Sequence, residues 1–382
     1  MFNTRKYRSA PWRFMKVLSV SLLLFCSLAG LFAMPQQETP ENSDSFVVTD
    51  MRGRSVSVPG EINGIVAIGA GSLRLLSYLD STDKIIAVED SGHGREKTVH
   101  NFFSLATYRL AFPGLRELPS IGSGENHEGI IAAAPDIIIS SAVDVGQIDQ
   151  LQNILGIPVF AVNVDVEFFD TELFYNQLEI LGRLLDKEDR AQELVEGIKA
   201  IMKDFETRAE GIEETKRAYA GGMMYYGPAD LLRTTGDYLP FDLTGTENIM
   251  PTNPAGNLQP YMTSLEDLIA AAPDYAFIDA ANVNLSKAGF MTNRNVLEEQ
   301  VPAFTNGEVY TTFVYKYYGT NWENQLINVY YIGTVLYPQL YSDIAINDKA
   351  EEIWNLFFGV SLNYNSVIDM QKAGPGRVDW FN

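Results

Sequence analysis

Residues 128–139 read EGIIAAAPDIII, and residues 266–277 read EDLIAAAPDYAF. In each copy a Glu opens a short helical stretch, Ala-Ala-Ala-Pro-Asp ends it, and an apolar run follows. Proline is a fitting stop because it lacks the N–H that the helix ladder needs. The runs Asp136-Ile137-Ile138-Ile139-Ser140 and Tyr275-Ala276-Phe277-Ile278-Asp279 read as buried strands. A unit that recurs in this way predicts two similar lobes.

Working outward, the first copy sits in a strand-and-helix rhythm. Phe46-Val47-Val48-Thr49-Asp50 and Ser55-Val56-Ser57-Val58 flank Met51-Arg52-Gly53-Arg54 and predict a hairpin. Gly64-Ile65-Val66-Ala67-Ile68, Lys84-Ile85-Ile86-Ala87-Val88 and Pro158-Val159-Phe160-Ala161-Val162 predict strands separated by helical stretches. That alternation implies a parallel sheet with helices on its faces. Around the second copy, residues 219–226 and Gly307-Glu308-Val309-Tyr310 are further strand candidates. Between the two halves, Ala191, Leu194, Val195, Ile198, Ile201, Met202 and Phe205 keep helical spacing. Asp186-Lys187-Glu188-Asp189 offers that helix an N-cap. Such a helix is about 30 Å long at 1.5 Å per residue, and it predicts a stiff connection. The alternative is an ordinary surface helix of one larger domain.

The chain has 382 residues and a formal net charge of -21, with 46% hydrophobic residues and one Cys. This length supports two or more core-bearing units. The acidic balance argues against binding nucleic acid or an anionic membrane, which needs clustered Lys and Arg. One Cys excludes a disulfide framework and a CxxC zinc site. His93, His100 and His127 form no HxxxH pair, so no His-based catalytic metal site is expected.

Residues 1–33 read as a secretory signal. Arg5, Lys6, Arg8, Arg13 and Lys16 lead into an apolar run that ends in small residues. Cleavage after Ala33 is the first reading. Lipidation of Cys26 and a retained anchor helix are the alternatives. Residues 34–46, polar with two Pro, predict a flexible tether.

Taken in order, Val47-Val48-Thr49-Asp50-Met51-Arg52-Gly53-Arg54, Ile121-Gly122 with Glu128, Ala134-Pro135-Asp136, Gly156-Ile157-Pro158-Val159, the long helix, Leu265-Glu266 with Ala272-Pro273-Asp274, and Tyr330-Tyr331-Ile332-Gly333 carry a resemblance. The chain resembles the helical-linker class of periplasmic substrate-binding proteins, which serve ABC importers of iron-siderophores, haem and cobalamin. The resemblance covers about residues 46–360, and its specificity lies in the order of the motifs. It implies an α/β fold of two Rossmann-like lobes with parallel sheets, joined by one long rigid linker helix, with a ligand cleft between the lobes. The expected division is an N-terminal lobe at 47–185, a linker at 186–212 and a C-terminal lobe at 213–382. The resemblance also implies a monomer that works with an ABC permease and its ATPase, in the periplasm or lipid-anchored outside the cytoplasmic membrane. No catalytic residue, resident metal or cofactor is expected. An acidic residue on each lobe would dock on the permease, and Glu128 and Glu266 hold the matching positions.

Ligands of open α/β lobes bind beyond the carboxyl ends of the strands. The first such place is Gly69-Ala70-Gly71-Ser72, where small residues allow close backbone approach and Ser72 opens a helix. The second is the loop 89–116, with His93, Arg95, Lys97, His100, Tyr108, Arg109 and Arg116. These cations could pair with a carboxylate- or catecholate-bearing chelate. The third combines Tyr225, Tyr226 and Arg233 with Tyr315, Lys316, Tyr317, Tyr318, Asn321 and Trp322. Aromatic rings near a cation can stack on a planar ligand. The expected ligand residues are therefore Ser72, His93, Arg95, Tyr226, Arg233, Tyr315, Tyr318 and Asn321. Tyr330, Tyr331, Tyr337 and Tyr341 are expected in packing.

The leading expectation is a metal chelate or corrinoid as ligand. A bare metal ion or a small oxyanion such as molybdate or tungstate is the alternative in the same fold. An exported hydrolase and a receptor-docking sensor stand further back, since the chain has neither a Gly-x-Ser-x-Gly elbow nor HExxH.

Overall fold

Asp50 anchors the start of the fold. In the computed structural model, which describes residues 45–90, 105–164, 171–224, 227, 229–257 and 259–381, β1 (Ser45–Thr49) and β2 (Ser55–Pro59) form an antiparallel hairpin. The Asp50 carboxylate accepts the backbone N–H groups of Arg52 and Arg54 and the Arg54 guanidinium within the turn. It also accepts the N–H of Ala161, so one buried side chain ties the hairpin to the next sheet. The signal segment, Cys26, His93, Arg95, Lys97, His100, Tyr225 and Tyr226 lie outside the described residues. No described helix is long and apolar enough to cross a membrane.

The first lobe holds a five-stranded sheet. Its strands are β3 (Ile65–Ile68), β4 (Ile85–Glu89), β5 (Ser120–Gly122), β6 (Ile137–Ser140) and β7 (Val159–Ala161), in the order β5-β4-β3-β6-β7. Every pair is parallel. Strands β3 and β6 are buried along their whole length, which is why they read as unbroken apolar runs. One sheet face packs Ile65, Ala67, Ile137 and Ile139 into the main core, while Val66, Ile68 and Ile138 face a second cluster.

The second lobe repeats this plan and adds antiparallel edges. Its strands are β8 (Arg217–Gly221), β9 (Arg233–Thr234), β10 (Glu247–Asn248), β11 (Tyr261–Met262), β12 (Tyr275–Asp279), β13 (Val309–Thr312) and β14 (Gly376–Arg377). Strands β10, β8, β12 and β13 pair in parallel; β9, β11 and β14 pair antiparallel. The strand expected over 219–226 starts two residues earlier and stops at Gly221, because Gly222 turns the chain at a φ of 66°. The tail past Leu362 completes this lobe. A helix (Tyr364–Gln371) leads to β14, and Trp380 then packs on Phe290.

The two sequence copies form two matching helices, His127–Ala133 and Leu265–Ala271. Asn126 caps the first by accepting the N–H of Gly129, and Ser264 caps the second by accepting that of Asp267. Each ends one residue before its proline, at an alanine in the left-handed region: Ala134 at 53° and Ala272 at 45°. A residue that precedes proline is pushed out of the right-handed helical region, so the stop is made by the pair rather than by Pro alone.

The linker helix runs Glu188–Ala209. Its buried stripe, from Ala191 to Phe205, must be covered. The helices Trp322–Leu336 and Ile346–Phe358 do this. Phe205 meets the Tyr330 ring at 4.7 Å, and a Cβ at Gly197 would lie 2.5 Å from Leu356. Arg208 adds a two-pronged bond to Asp343 at 2.7 Å per arm. The expected strut is thus held at its start by the helix Thr171–Leu185 and by Arg190, which donates to the Tyr78 carbonyl at 3.0 Å, and toward its end by the second lobe. Phe357 and Phe358 of the covering helix reach Tyr78 of the first lobe, at 4.9 and 5.7 Å between ring centres.

Candidate ligand site at the strand ends

In the first sheet, β3 leads to β4 on one side, and β6 flanks β3 on the other. The crevice between such diverging strands is where open α/β sheets bind ligands. Gly69 and Ser141 stand at that point, just past β3 and β6. A cavity of about 730 Å³ opens there, lined among others by Gly69, Glu89, Gly124, Ser140, Ser141 and Gln147.

Glu89 closes β4, and the pairing of β4 with β5 slips in register between Val88 and Glu89. An irregularity of this kind re-aims a side chain. The Glu89 carboxylate accepts the backbone N–H of Gly69 at 2.8 Å and that of Gly124 at 2.8 Å. The Tyr318 hydroxyl, from the second lobe, donates to it at 3.1 Å. Gly69 has a φ of 80°, and a Cβ there would sit 2.3 Å from the Ser141 hydroxyl. Glycine is therefore required for the N–H to face the carboxylate.

Tyr318 reaches this point from a tight loop. Lys316 and Thr320 form an isolated bridge, Tyr318 has a φ of 50°, and Gly319 has a φ of 91°. The loop is held from the first lobe by Arg74, which is 2% exposed. Its guanidinium donates to the carbonyls of Tyr317 (3.0 Å) and Thr320 (2.7 Å) and to Asn321 Oδ1 (2.6 Å). Nearby, the Tyr78 hydroxyl donates to Glu323 at 2.5 Å. Burial pushes both groups' pKa values up, so Glu323 favours its neutral form more than an exposed Glu does. The Arg109 guanidinium, also buried, lies 5.6 Å from the ring centres of Tyr108, Tyr317 and Tyr318. Those rings stabilise the cation in place.

Of the expected ligand residues that are described, the structure brings only Tyr318 to this point. Ser72 is fully buried, and its hydroxyl donates back to the Ile68 carbonyl at 2.8 Å. Asn321 is also fully buried, with its amide nitrogen on the carbonyls of Leu105 and Val314. Tyr315 is a core residue whose ring packs 5.5 Å from that of Tyr238. These three are corrected from ligand contacts to interior supports, because short-range polar partners and apolar neighbours take up their side chains. Arg233 lies on β9 and donates to the Gly227 carbonyl at 2.9 Å. His93, Arg95 and Tyr226 are outside the described residues. Of the loop cations, Arg109 turns inward rather than toward solvent. Sequence reasoning held Glu89 only as the first residue of the loop 89–116 without giving it a role, and it missed Gly124. The available signal was an acidic residue closing the apolar strand Ile85–Glu89.

Glu128 and Glu266 are both exposed, each in the first turn of one of the twin helices. A carboxylate there complements the positive end of the helix dipole.

The family model of periplasmic binding proteins matches residues 65–313, which include the five-stranded sheet, the linker helix and the second sheet except β14. The chain belongs to the periplasmic binding protein family. Among curated relatives it is similar to the molybdate-binding protein MolA of Haemophilus influenzae. The two are 22% identical over 373 residues, covering 89% of this chain and 97% of the relative. Two solved members of the family share its fold at a TM-score of 0.66 each. One is a periplasmic solute binding protein of Veillonella parvula, 19% identical and covering 86% of this chain and 98% of that one. The other is MolA bound to molybdate, described as the cognate binding protein of an ABC transporter. It is 18% identical and covers 83% of this chain and 99% of that one.

Proposed function

We propose that the chain is the exported substrate-binding component of an ABC importer, and that it captures an oxygen-rich anion around Gly69, Gly124 and Tyr318. The observation that carries this reading is the convergence of two backbone N–H groups and a phenol on one carboxylate. Donors arranged in this way suit an anion, because they supply partial positive charge without any counter-charge. A small metal oxyanion is the first reading, supported by the full-length similarity to a molybdate-binding protein. A second reading, an anionic metal chelate, is favoured by the cavity of about 730 Å³, a volume in the range of drug-sized ligand sites. Tyr317 and Tyr318, stacked about the buried Arg109, would give such a ligand an aromatic wall.

A calorimetric titration of the secreted chain separates these readings, with molybdate, tungstate, sulfate, ferric siderophores, haem, cobalamin and nickel(II) as titrants. Saturable binding of molybdate or tungstate supports the first reading, and binding of one chelate alone supports the second. Binding of nickel(II) alone would overturn the anion site. For docking, Glu128→Ala combined with Glu266→Ala should leave affinity in solution unchanged and abolish uptake by cells. Normal uptake by the double variant would remove these two residues from the interface with the permease.

A further inference from the structure

The donors that would receive an anion already hold one. Glu89 presents two carboxylate oxygens to the N–H groups of Gly69 and Gly124 and to the Tyr318 hydroxyl, at 2.8, 2.8 and 3.1 Å. Its side chain is only half-buried and borders the cavity, so it has room to swing away. We propose that Glu89 is the resident occupant of this anion seat, and that a ligand binds by displacing it. The proposal rests on the anion-site reading above and deepens it.

Displacement sets the class of ligand. A carboxylate tethered beside its donors competes at a high effective concentration. A free monoanion such as acetate offers the same two oxygens and the same charge, and so gains nothing over Glu89. A dianionic tetrahedral oxyanion, or a chelate with several anionic oxygens, brings more charge and more acceptors to the same donors. The seat therefore rejects common monocarboxylates and admits ligands of at least double charge. Exchange also releases the bond from Glu89 to Tyr318, which links the two lobes.

The test uses the full secreted chain and three variants, Glu89→Ala, Glu89→Gln and Tyr318→Phe. Removing a competitor that fills the seat most of the time lowers the apparent Kd in proportion to its occupancy. Molybdate or tungstate should therefore bind Glu89→Ala and Glu89→Gln about tenfold more tightly or better than wild type. Tyr318→Phe, which removes a donor shared by Glu89 and ligand, should change the Kd far less. The second readout does not depend on the transported ligand. Acetate or formate should raise the melting temperature of Glu89→Ala, whose truncated side chain leaves the seat open, and should not raise that of wild type. Weaker oxyanion binding by the Glu89 variants would make Glu89 part of the ligand's own shell and overturn the proposal. Equal effects of acetate on Glu89→Ala and wild type would overturn it as well. If wild type binds no oxyanion at all, the first functional reading fails, while the acetate comparison still decides whether Glu89 fills an anion seat.

Discussion

Glu89 and Asp279 make nearly the same bonds in opposite surroundings. Each closes a strand that lies in the parallel part of its sheet, and each carboxylate accepts two backbone N–H groups. Glu89 takes those of Gly69 and Gly124. Asp279 takes those of Ala281 at 2.8 Å and Tyr315 at 2.9 Å. Asp279, however, is 1% exposed, and burial pushes its pKa up to about 7 despite both bonds. Glu89 faces a cavity. A shared pair of backbone bonds thus serves two ends. Without free volume the carboxylate is a fixed brace for the strand end and the 315–321 loop. With free volume it is an exchangeable guest.

The comparison breaks first if the Glu89 to Tyr318 bond is what holds the lobes together. Arg74 carries that load instead, since it is buried and holds three polar acceptors across the lobe boundary. Arg74→Ala should cost about 3–5 kcal/mol in urea unfolding, the range for breaking a buried charged network. A loss below about 1 kcal/mol would move the load back to Glu89. Next in size, Asp279→Ala should cost about 2–4 kcal/mol, because it strands the buried N–H of Tyr315 and the part-buried N–H of Ala281. Glu89→Ala should cost less than about 1 kcal/mol, because water or an anion can reach its donors. Equal costs at the two positions would erase the distinction between brace and guest.

The smallest effect is a dependence on pH. The carboxyl of Asp279 has a folded pKa of about 7, above its ordinary 3.8. Between those values the folded state binds more protons than the unfolded state. The stability linked to Asp279 is therefore complete below about pH 4 and falls as pH rises toward 7. Buried Glu323 shifts in the same direction. Asp279→Asn should lose less stability than wild type between pH 5 and pH 8, by unfolding curves at each pH. Parallel losses would show that this carboxyl does not titrate in that window.

The twin helices were legible because their signal is local. A capping side chain, an apolar run and the Ala-Pro stop all act within about ten residues, and the same signals appear in both copies. The buried strands were legible for the same reason, as uninterrupted Ile and Val runs. The edges of the second sheet were not. Strands β9, β10, β11 and β14 have two residues each, too few to show a period. The site was the least legible part. Ser72, Tyr315 and Asn321 carry the residue types of a ligand site, yet Ser72 bonds back one turn to Ile68, and Tyr315 and Asn321 are taken up by neighbours that no spacing rule could reveal. Asn321, for example, bonds Arg74 from 247 residues away.

The sequence alone determined the two-lobed α/β plan, the export signal as an expectation, and the matched exposed Glu pair. These follow from local periodicity, capping and repetition, which act along the chain. Only the tertiary structure decided what covers the linker helix, which polar residues are interior, and that Glu89, Gly69, Gly124 and Tyr318 meet at one point. The physical reason is that burial and hydrogen-bond partnership are properties of the packed chain. A carboxylate becomes a brace or a guest according to the space around it, and that space is enclosed by residues distant in sequence.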